Sequence, residues 1–535
     1  MNSMAGTGTL IRLALRRDRV VLPIWFCAGL LPMGVAASFA KLYPSPDSLR
    51  AFADQCMSNP AIVAILGPVF APTVGGLTAW RTGAMGMIVA AIPSLLIVIR
   101  HTRAEEEAGQ REIIGSTAVG RHAALSAALI VTLFANLVLA AVVATGLMSL
   151  GLPAAGSIAL GLSWAAAGLM FAAVAALAAQ LSASTATARN IALGVFGLFF
   201  LIHTAANSPG EHSGVWLRSL SFSPSSISPL EWTRLIRPFA GERWWLFALV
   251  AGFVAVLDTA AYALSARRDL GAGLLPPRHG PAFAPPRLRS PLALAWRLQR
   301  GMLLGWIVAF ALIGLLLGAV SKTLPTLTNT PQFSNWLAHM GAHDSAHAFL
   351  RIVLYVLGQT IAAYAILATM RMRSEEMTLR AEPVLATSVS RLRWAASHLL
   401  FASAGPAAAL FAVGLAIGLT YGINAGDVSR ELPRLLAATM VTLPAVWVMA
   451  GIAMALFGLL PRFAASLSWA ALAAFLVLEL GWELRQVSQP VFDLSPFAHV
   501  HWSAQVTIAA WIWLTVVAVL LTTAGLFGLQ RRDLG

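Results

Sequence analysis

The sequence predicts an all-α polytopic membrane protein of about 12 transmembrane helices, built as two parallel six-helix repeats. Three observations lead there. Hydrophobic residues fill 58% of the 535 positions and charged residues only 11%, where soluble domains carry roughly 25% charged residues. Continuously apolar runs of about 20 residues, the length that crosses the hydrocarbon core, recur along the whole chain, without the alternation of membrane-barrel strands. The third is duplication: RAEEEAGQREIIGSTAVGR at 103–121 returns without a gap as RSEEMTLRAEPVLATSVSR at 373–391.

In chain order, residues 1–19 form a first small domain. Leu10, Ile11, Leu13 and Leu15 alternate with Arg12, Arg16, Arg17 and Arg19, which predicts an amphipathic helix on the inner membrane surface, its arginines near anionic head groups. The first six-helix domain covers 20–265, with spans at 20–40, 82–100, 123–149, 155–181, 190–206 and 244–265. The first span lacks a small-residue cleavage site and reads as a retained helix rather than a signal peptide. Prolines 44, 46, 60 and 72 break up the outer segment 41–78, and residues 151–153 make a tight outer turn. Trp244 and Trp245 read as interfacial anchors. The outer segment 207–243 carries Arg218, Arg234, Arg237 and Arg243, against the tendency of Lys and Arg to collect on the cytoplasmic side. Nothing in the sequence explains that departure.

A basic, Pro-rich cytoplasmic linker and surface helix spans 266–300, with seven arginines, six prolines and a single acidic residue, Asp269. The second six-helix domain, 301–535, repeats the plan with spans at 301–320, 346–370, 394–420, 433–459, 464–482 and 505–528. Leu13, Ala14, Arg16, Arg19, Trp25, Lys41 and Pro44 recur as Leu294, Ala295, Arg297, Arg300, Trp306, Lys322 and Pro325. RRDLG closes both halves, at 267–271 and 531–535. Halves that begin and end on the same side contain an even number of spans, so the repeat is parallel.

Composition also excludes. The net charge of +14 sits mostly in inter-helix segments, so it reads as membrane topology and not as a nucleic-acid surface. Two cysteines, Cys27 and Cys56, allow neither a disulfide framework nor a cysteine-rich metal site. A phosphate-binding Walker loop needs Gly-Lys-Ser/Thr, yet the only lysines are Lys41 and Lys322, preceded by Ala40 and Ser321. The chain therefore has no nucleotide site of its own, and the expectation is a permease that is neither an enzyme nor a cofactor carrier; an ATP-driven function requires a second polypeptide.

The duplicated motif is too densely charged to lie in hydrocarbon. It predicts two helical elbows, over 101–121 and 371–391. Span two continues through Glu105 and Glu106 to a terminator at Gly109. A short helix then starts near Glu112 or Glu382, with Pro383 in a tolerated first-turn position. Thr117 and Thr387 are the expected caps of the following helix. An alternative role for the charges is a local pair such as Arg103 with Glu106.

A surface helix before span one and an R-x-E-E…E…R elbow between spans two and three resemble the type-2 ABC exporter permeases. The fused double-length layout is similar to the actinobacterial antibiotic exporters of the tetronasin-resistance kind and to mycobacterial multidrug efflux permeases. The resemblance covers the whole chain. It implies that the elbows are coupling helices seated in two copies of a separate ABC ATPase subunit, which binds ATP and Mg. On that basis Arg103, Glu105, Glu106, Glu112 and Arg121, with Arg373, Glu375, Glu376, Glu382 and Arg391, are the expected coupling residues. It further implies export of small hydrophobic or amphipathic drugs across a bacterial inner (plasma) membrane, with both termini cytoplasmic. The second elbow departs from the first at Met377, Leu379 and Ala381, which replace Glu107, Gly109 and Arg111, so the two contacts need not be equivalent.

Two carboxylates fall within spans, Asp258 and Glu479, with Glu483 a turn further on. Intramembrane acids line substrate paths or carry protons, and Asp258 and Glu479 are the candidates for the path. They also support the alternative of a proton-coupled secondary drug transporter with 6+6 helices. The loop between spans two and three lacks the G-x-x-x-D-R-x-G-R pattern of the major facilitator group, which weighs against it. His339, His343 and His347 beside Asp344 read as a solvated outer helix face rather than a metal site. They would be the only polar cluster for a third class, a membrane enzyme acting on lipid-linked sugars.

Overall fold

The computed structural model describes residues 3–58, 63, 66–110, 119–207, 228–269, 271–275, 283, 285, 288–319, 345–483, 487–502 and 506–532, and every regular element among them is helical. Twelve of the helices are long and apolar enough to cross a membrane. The chain divides into two compact units, Met1–Gly280 and Pro281–Gly535, and each holds six of these spans.

The first unit opens with α1 (Thr7–Arg17), which buries Ala14 and ends at Asp18. Span α2 (Val21–Leu42) contains one 3-10 turn, Ala28–Leu30. Helix α3 (Pro46–Met57) starts from a reciprocal cap in which the Ser45 and Ser48 side chains bond each other's backbone N–H, satisfying donors a helix start leaves open. Span α4 (Val74–Glu107) is longer at both ends than the apolar run suggests. Thr73 caps it by accepting from the Gly76 N–H at 3.1 Å, and a π-helical turn, Arg100–Ala104, carries it into the elbow. Spans α5 (Ala123–Ser149) and α6 (Ala154–Leu181) follow across a turn with Gly151 at φ 80°. Then come α7 (Thr185–Asn207), the short α8 (Pro229–Leu235) and α9 (Trp245–Arg267).

Helix α6 is the axis of this unit: 83% of its most apolar stretch is buried, against 28% for α2 and 17% each for α7 and α9. The peripheral spans therefore keep most of their apolar surface for lipid. Lipid tails are as apolar as leucine, so close contact between spans relies on small residues. At Gly161 a Cβ would stand 2.3 Å from the Ala140 carbonyl oxygen.

In the second unit, α10 (Pro291–Ala319) joins the expected surface helix and span seven into one element. The first unit breaks at the corresponding place because Asp18 terminates α1, whereas the repeat carries Gln299 there, a good helix former. The other elements are α11 (Ser345–Met377), α12 (Ala381–Leu385), α13 (Arg391–Ala425), α14 (Val428–Met440), α15 (Leu443–Leu459), α16 (Ala464–Glu483), α17 (Gln489–Phe492) and α18 (Ile508–Arg531). Helices α14 and α15 together make one span, 72% buried over its most apolar stretch. Helices α15 and α18 touch through their backbones, since a Cβ at Gly458 would lie 1.9 Å from the Gly525 carbonyl oxygen.

Lys322, His339, His343 and Asp344 lie outside the described residues, and His347 belongs to the first turn of α11.

Candidate coupling elbows

The first elbow forms where α4 leaves the bundle. Its helix ends at Glu107 and the chain reverses at Gly109, whose φ of 70° is left-handed. Glu112 and Thr117 lie outside the described residues. The second elbow has the same form. Helix α11 ends at Met377, Leu379 takes the left-handed position at φ 58°, and α12 begins with Glu382 and Pro383 in its first turn. Leucine pays a steric penalty there that glycine avoids, so the turn is imposed by its surroundings.

Three charges of the first motif copy and Glu375 of the second are buried in the protein. Arg103 is 1% exposed, Glu106 7% and Glu105 9%. Arg268, from the first RRDLG sequence, grips Glu106 through a fork of two hydrogen bonds, 2.7 and 2.9 Å long. The Gly271 N–H adds a third at 2.7 Å. Arg103 stands 3.3 Å from Glu106 and donates to the carbonyls of Ala179 and Ala272 at 3.1 and 2.9 Å. Arg121 closes the loop from the other side, donating to the Arg268 carbonyl at 2.7 Å.

The second half repeats this clasp. Arg532, from the second RRDLG, donates to Glu376 at 2.6 Å, and Arg391 donates to the Arg532 carbonyl at 2.7 Å. The two features that the sequence duplicates are thus one structural lock, made twice. Arg373 is looser than Arg103: half-buried, it donates to the Arg462 carbonyl at 2.9 Å.

The halves differ in what holds the first glutamate of the pair, Glu105 or Glu375. Arg17 of α1 pairs with Glu105. Asp18, fully buried, holds His101 and Arg100 at 2.5 Å each, so α1 is tied to the elbow by ions. Burial alone would raise the Asp18 carboxyl, yet the bond to His101 and the charges of His101 and Arg100 hold it below the usual carboxylate range. In the second half Glu375 pairs with its own neighbour Arg371 at 2.8 Å. There Gln299 meets His398 at 3.0 Å.

One expectation fails. Thr387 does not cap the helix after the second elbow: its hydroxyl donates back to the Val384 carbonyl at 2.6 Å. Ser390 caps α13 instead, accepting from the Arg393 N–H at 3.3 Å. The cap belongs to the residue directly before the first helical turn, and α13 starts three residues later than the motif suggested.

The intramembrane acids are far apart in character. Asp258 is half-buried on α9, and its Oδ1 has no hydrogen-bond partner among the described residues. Glu479 is 9% exposed and accepts from the Tyr355 hydroxyl at 3.0 Å and from the Gln359 amide. The ring of Tyr355 lies 5.1 Å from that of His501, which burial and then Arg351 push down to about 4, keeping it neutral near pH 7. Arg17, Asp18, His101, Arg268 and Arg532 were not among the residues the motif singled out. The RRDLG repeat was the available signal for the last two.

Twelve apolar spans in two six-span halves, each with a clasped elbow, define a double-length membrane permease. The family model for the C-terminal domain of the multidrug efflux system permease Rv1217c matches residues 288–530. The chain is 39% identical over 538 residues to the multidrug efflux system permease protein Rv1217c of Mycobacterium tuberculosis (strain ATCC 25618 / H37Rv), an alignment covering 99% of this chain and 96% of that relative. The chain belongs to this family of multidrug efflux system permeases.

Proposed function

We propose that this permease is the membrane part of an ATP-driven exporter that carries hydrophobic or amphipathic drugs out of a bacterial cell; the name of its mycobacterial relative, a multidrug efflux system permease, supports drug efflux. Two copies of a separate ATPase subunit, binding ATP and Mg, drive it. Both termini and both elbows face the cytoplasm at the plasma membrane. The observation that carries this reading is the bare tip of the second elbow, where Met377 is 72% and Leu379 62% exposed beside exposed Glu382 and Pro383. Large apolar side chains placed together on a polar membrane-surface turn mark a protein contact.

In this reading the work divides between tip and root. Met377, Leu379 and Glu382, with Glu107 and Gln110 at the first tip, touch the ATPase, and Glu112 belongs with them. Arg103, Glu105, Glu106 and Arg121, with Arg373, Glu375, Glu376 and Arg391, fasten the elbow to its bundle so that a push at the tip moves the spans. The tips differ chemically, Met377 standing where Glu107 does, and the second contact is the more apolar.

The test is a gentle-detergent purification of the chain from its native membrane, with mass spectrometry of what accompanies it. A Walker-bearing ATPase should co-purify, and the paired change Met377→Asp with Leu379→Asp should release it while leaving the chain folded. Drug export that follows a pH gradient and ignores ATP depletion would remove this reading in favour of a proton-coupled carrier.

A further inference from the structure

At the end of the first unit opposite the elbow, α4, α6 and α8 surround a cleft of about 560 Å³, its open mouth included. Its walls are largely apolar and aromatic, with Phe70, Trp80, Met87 and Trp164 among them. Into this setting α8 brings a buried polar group. Glu231 is fully buried, 2.6 Å from the His203 Nδ1, and accepts from the Arg234 Nε at 2.7 Å. The backbone passes so close at Gly67 that a Cβ there would stand 2.8 Å from Arg234 Cδ, and the Gly67 carbonyl is fixed by the Trp80 indole N–H at 2.8 Å.

Two donors of this cleft are left over. Trp164 is 1% exposed, and neither its Nε1 nor the Nη1 of Arg234 has a hydrogen-bond partner among the described residues. Buried donors without acceptors are costly, and these two belong to residues that line one cleft. Charge selects the sign of their acceptor. The guanidinium carbons of Arg234 and Arg237 lie 5.0 and 4.4 Å from the centre of the Phe70 ring. Glu231 is engaged by Arg234 and His203, while Arg237 has no ion-pair partner among the described residues. We propose that this cleft binds the anionic head group of an amphiphile, with Arg234 and Trp164 donating to it and the aromatic walls taking the first carbons of its tail. The proposal accounts for two of the four arginines that break the charge rule in 207–243, Arg234 lining the cleft and Arg237 standing over its Phe70 wall. As a cargo site it rests on the exporter reading, though binding itself does not need an ATPase.

The experiment uses the full chain in phosphatidylcholine nanodiscs and a photoreactive dodecanoate carrying a diazirine, with adducts mapped by mass spectrometry. Labelling is expected on peptides bearing Phe70, Met87 or Trp164. It should fall about tenfold in Arg234→Gln and severalfold in Trp164→Phe, which keeps an aromatic ring and removes the N–H donor. The matching dodecylammonium probe should not label. Phosphatidylglycerol in the disc competing with the probe identifies a bilayer lipid as the natural occupant; no competition identifies a soluble amphiphile. Equal labelling by the cationic probe, or unchanged labelling in both folded variants, overturns the site. A chain that labels as expected yet recruits no ATPase keeps the site and loses the exporter reading. One that recruits the ATPase and does not label does the reverse.

Discussion

Cutting the first clasp is the sharpest perturbation the structure offers. Glu106 and Arg268 have side chains 3% and 7% exposed, and the carboxylate receives the Arg268 fork and the Gly271 N–H. Removing one partner of a buried pair costs about 3–5 kcal/mol, because the other charge stays buried and unmatched. Glu106→Gln keeps an acceptor for Gly271 but turns an amide NH₂ toward a guanidinium, so about 3 kcal/mol is expected. At roughly 1.4 kcal/mol per factor of ten, that is about a hundredfold easier opening of the tail. Hydrogen exchange in nanodiscs reads it directly, since local opening exposes the amides of 265–275 while the spans stay protected. At the second clasp the side chains are 15% and 14% exposed and one bond is made, so Glu376→Gln should speed exchange of the last residues only about tenfold. Because Glu106 and Arg268 act as one unit, the double variant with Arg268→Gln should cost little more than either single change. Exchange changing less than threefold in Glu106→Gln, or a double variant equal to the sum of the singles, would refute the clasp.

Three further outcomes follow from particular contacts. Asp18 titrates below the usual carboxylate range in the folded chain, so its contribution is full above about pH 4 and is lost as the pH falls further. The melting difference between the parent and Asp18→Asn should accordingly be constant between about pH 6 and pH 5, below the usual range of a histidine partner, and shrink on further acidification; a constant gap down to pH 3 would contradict the buried ion cluster. Leu379→Gly should raise thermal stability by about 1 kcal/mol by relieving the left-handed leucine, yet weaken ATPase capture in the pull-down; a gain in both would show that the side chain does not dock. Gly458→Ala, with its Cβ 1.9 Å from the Gly525 carbonyl, should cost about 1–3 kcal/mol by forcing α15 and α18 apart, read as a lower melting temperature of the detergent-held chain; an unchanged melting temperature would show that the two helices separate freely.

The elbow shows how far local reasoning reaches. Its helix end, its reversal at Gly109 and the first-turn proline of α12 follow from residues within a few positions of each other, and these features are present in the structure. The cap of α13 was misplaced because Thr387 and Ser390 are both capping residues three apart, and only the start of the helical turn chooses between them. Of the partners of Glu106, Arg103 is three positions away and readable as a local pair, whereas Arg268 lies 162 positions away, among many arginines of equal charge and marked only by the repeat of RRDLG.

The sequence alone therefore determined what depends on sums along the chain. Transfer of each run of some 20 residues into lipid is a local free energy, which places twelve spans and leaves the charged elbows at the surface. Duplication, equally, is visible to inspection. Tertiary structure decided what depends on which distant groups meet. It joined RRDLG to the elbow glutamates and bound Asp18 to His101. It also set Trp164 and Arg234 in one cleft with donors unspent. A buried charge must find its counter-charge wherever the packing of the spans brings one, and no pattern of neighbours along the chain specifies that meeting.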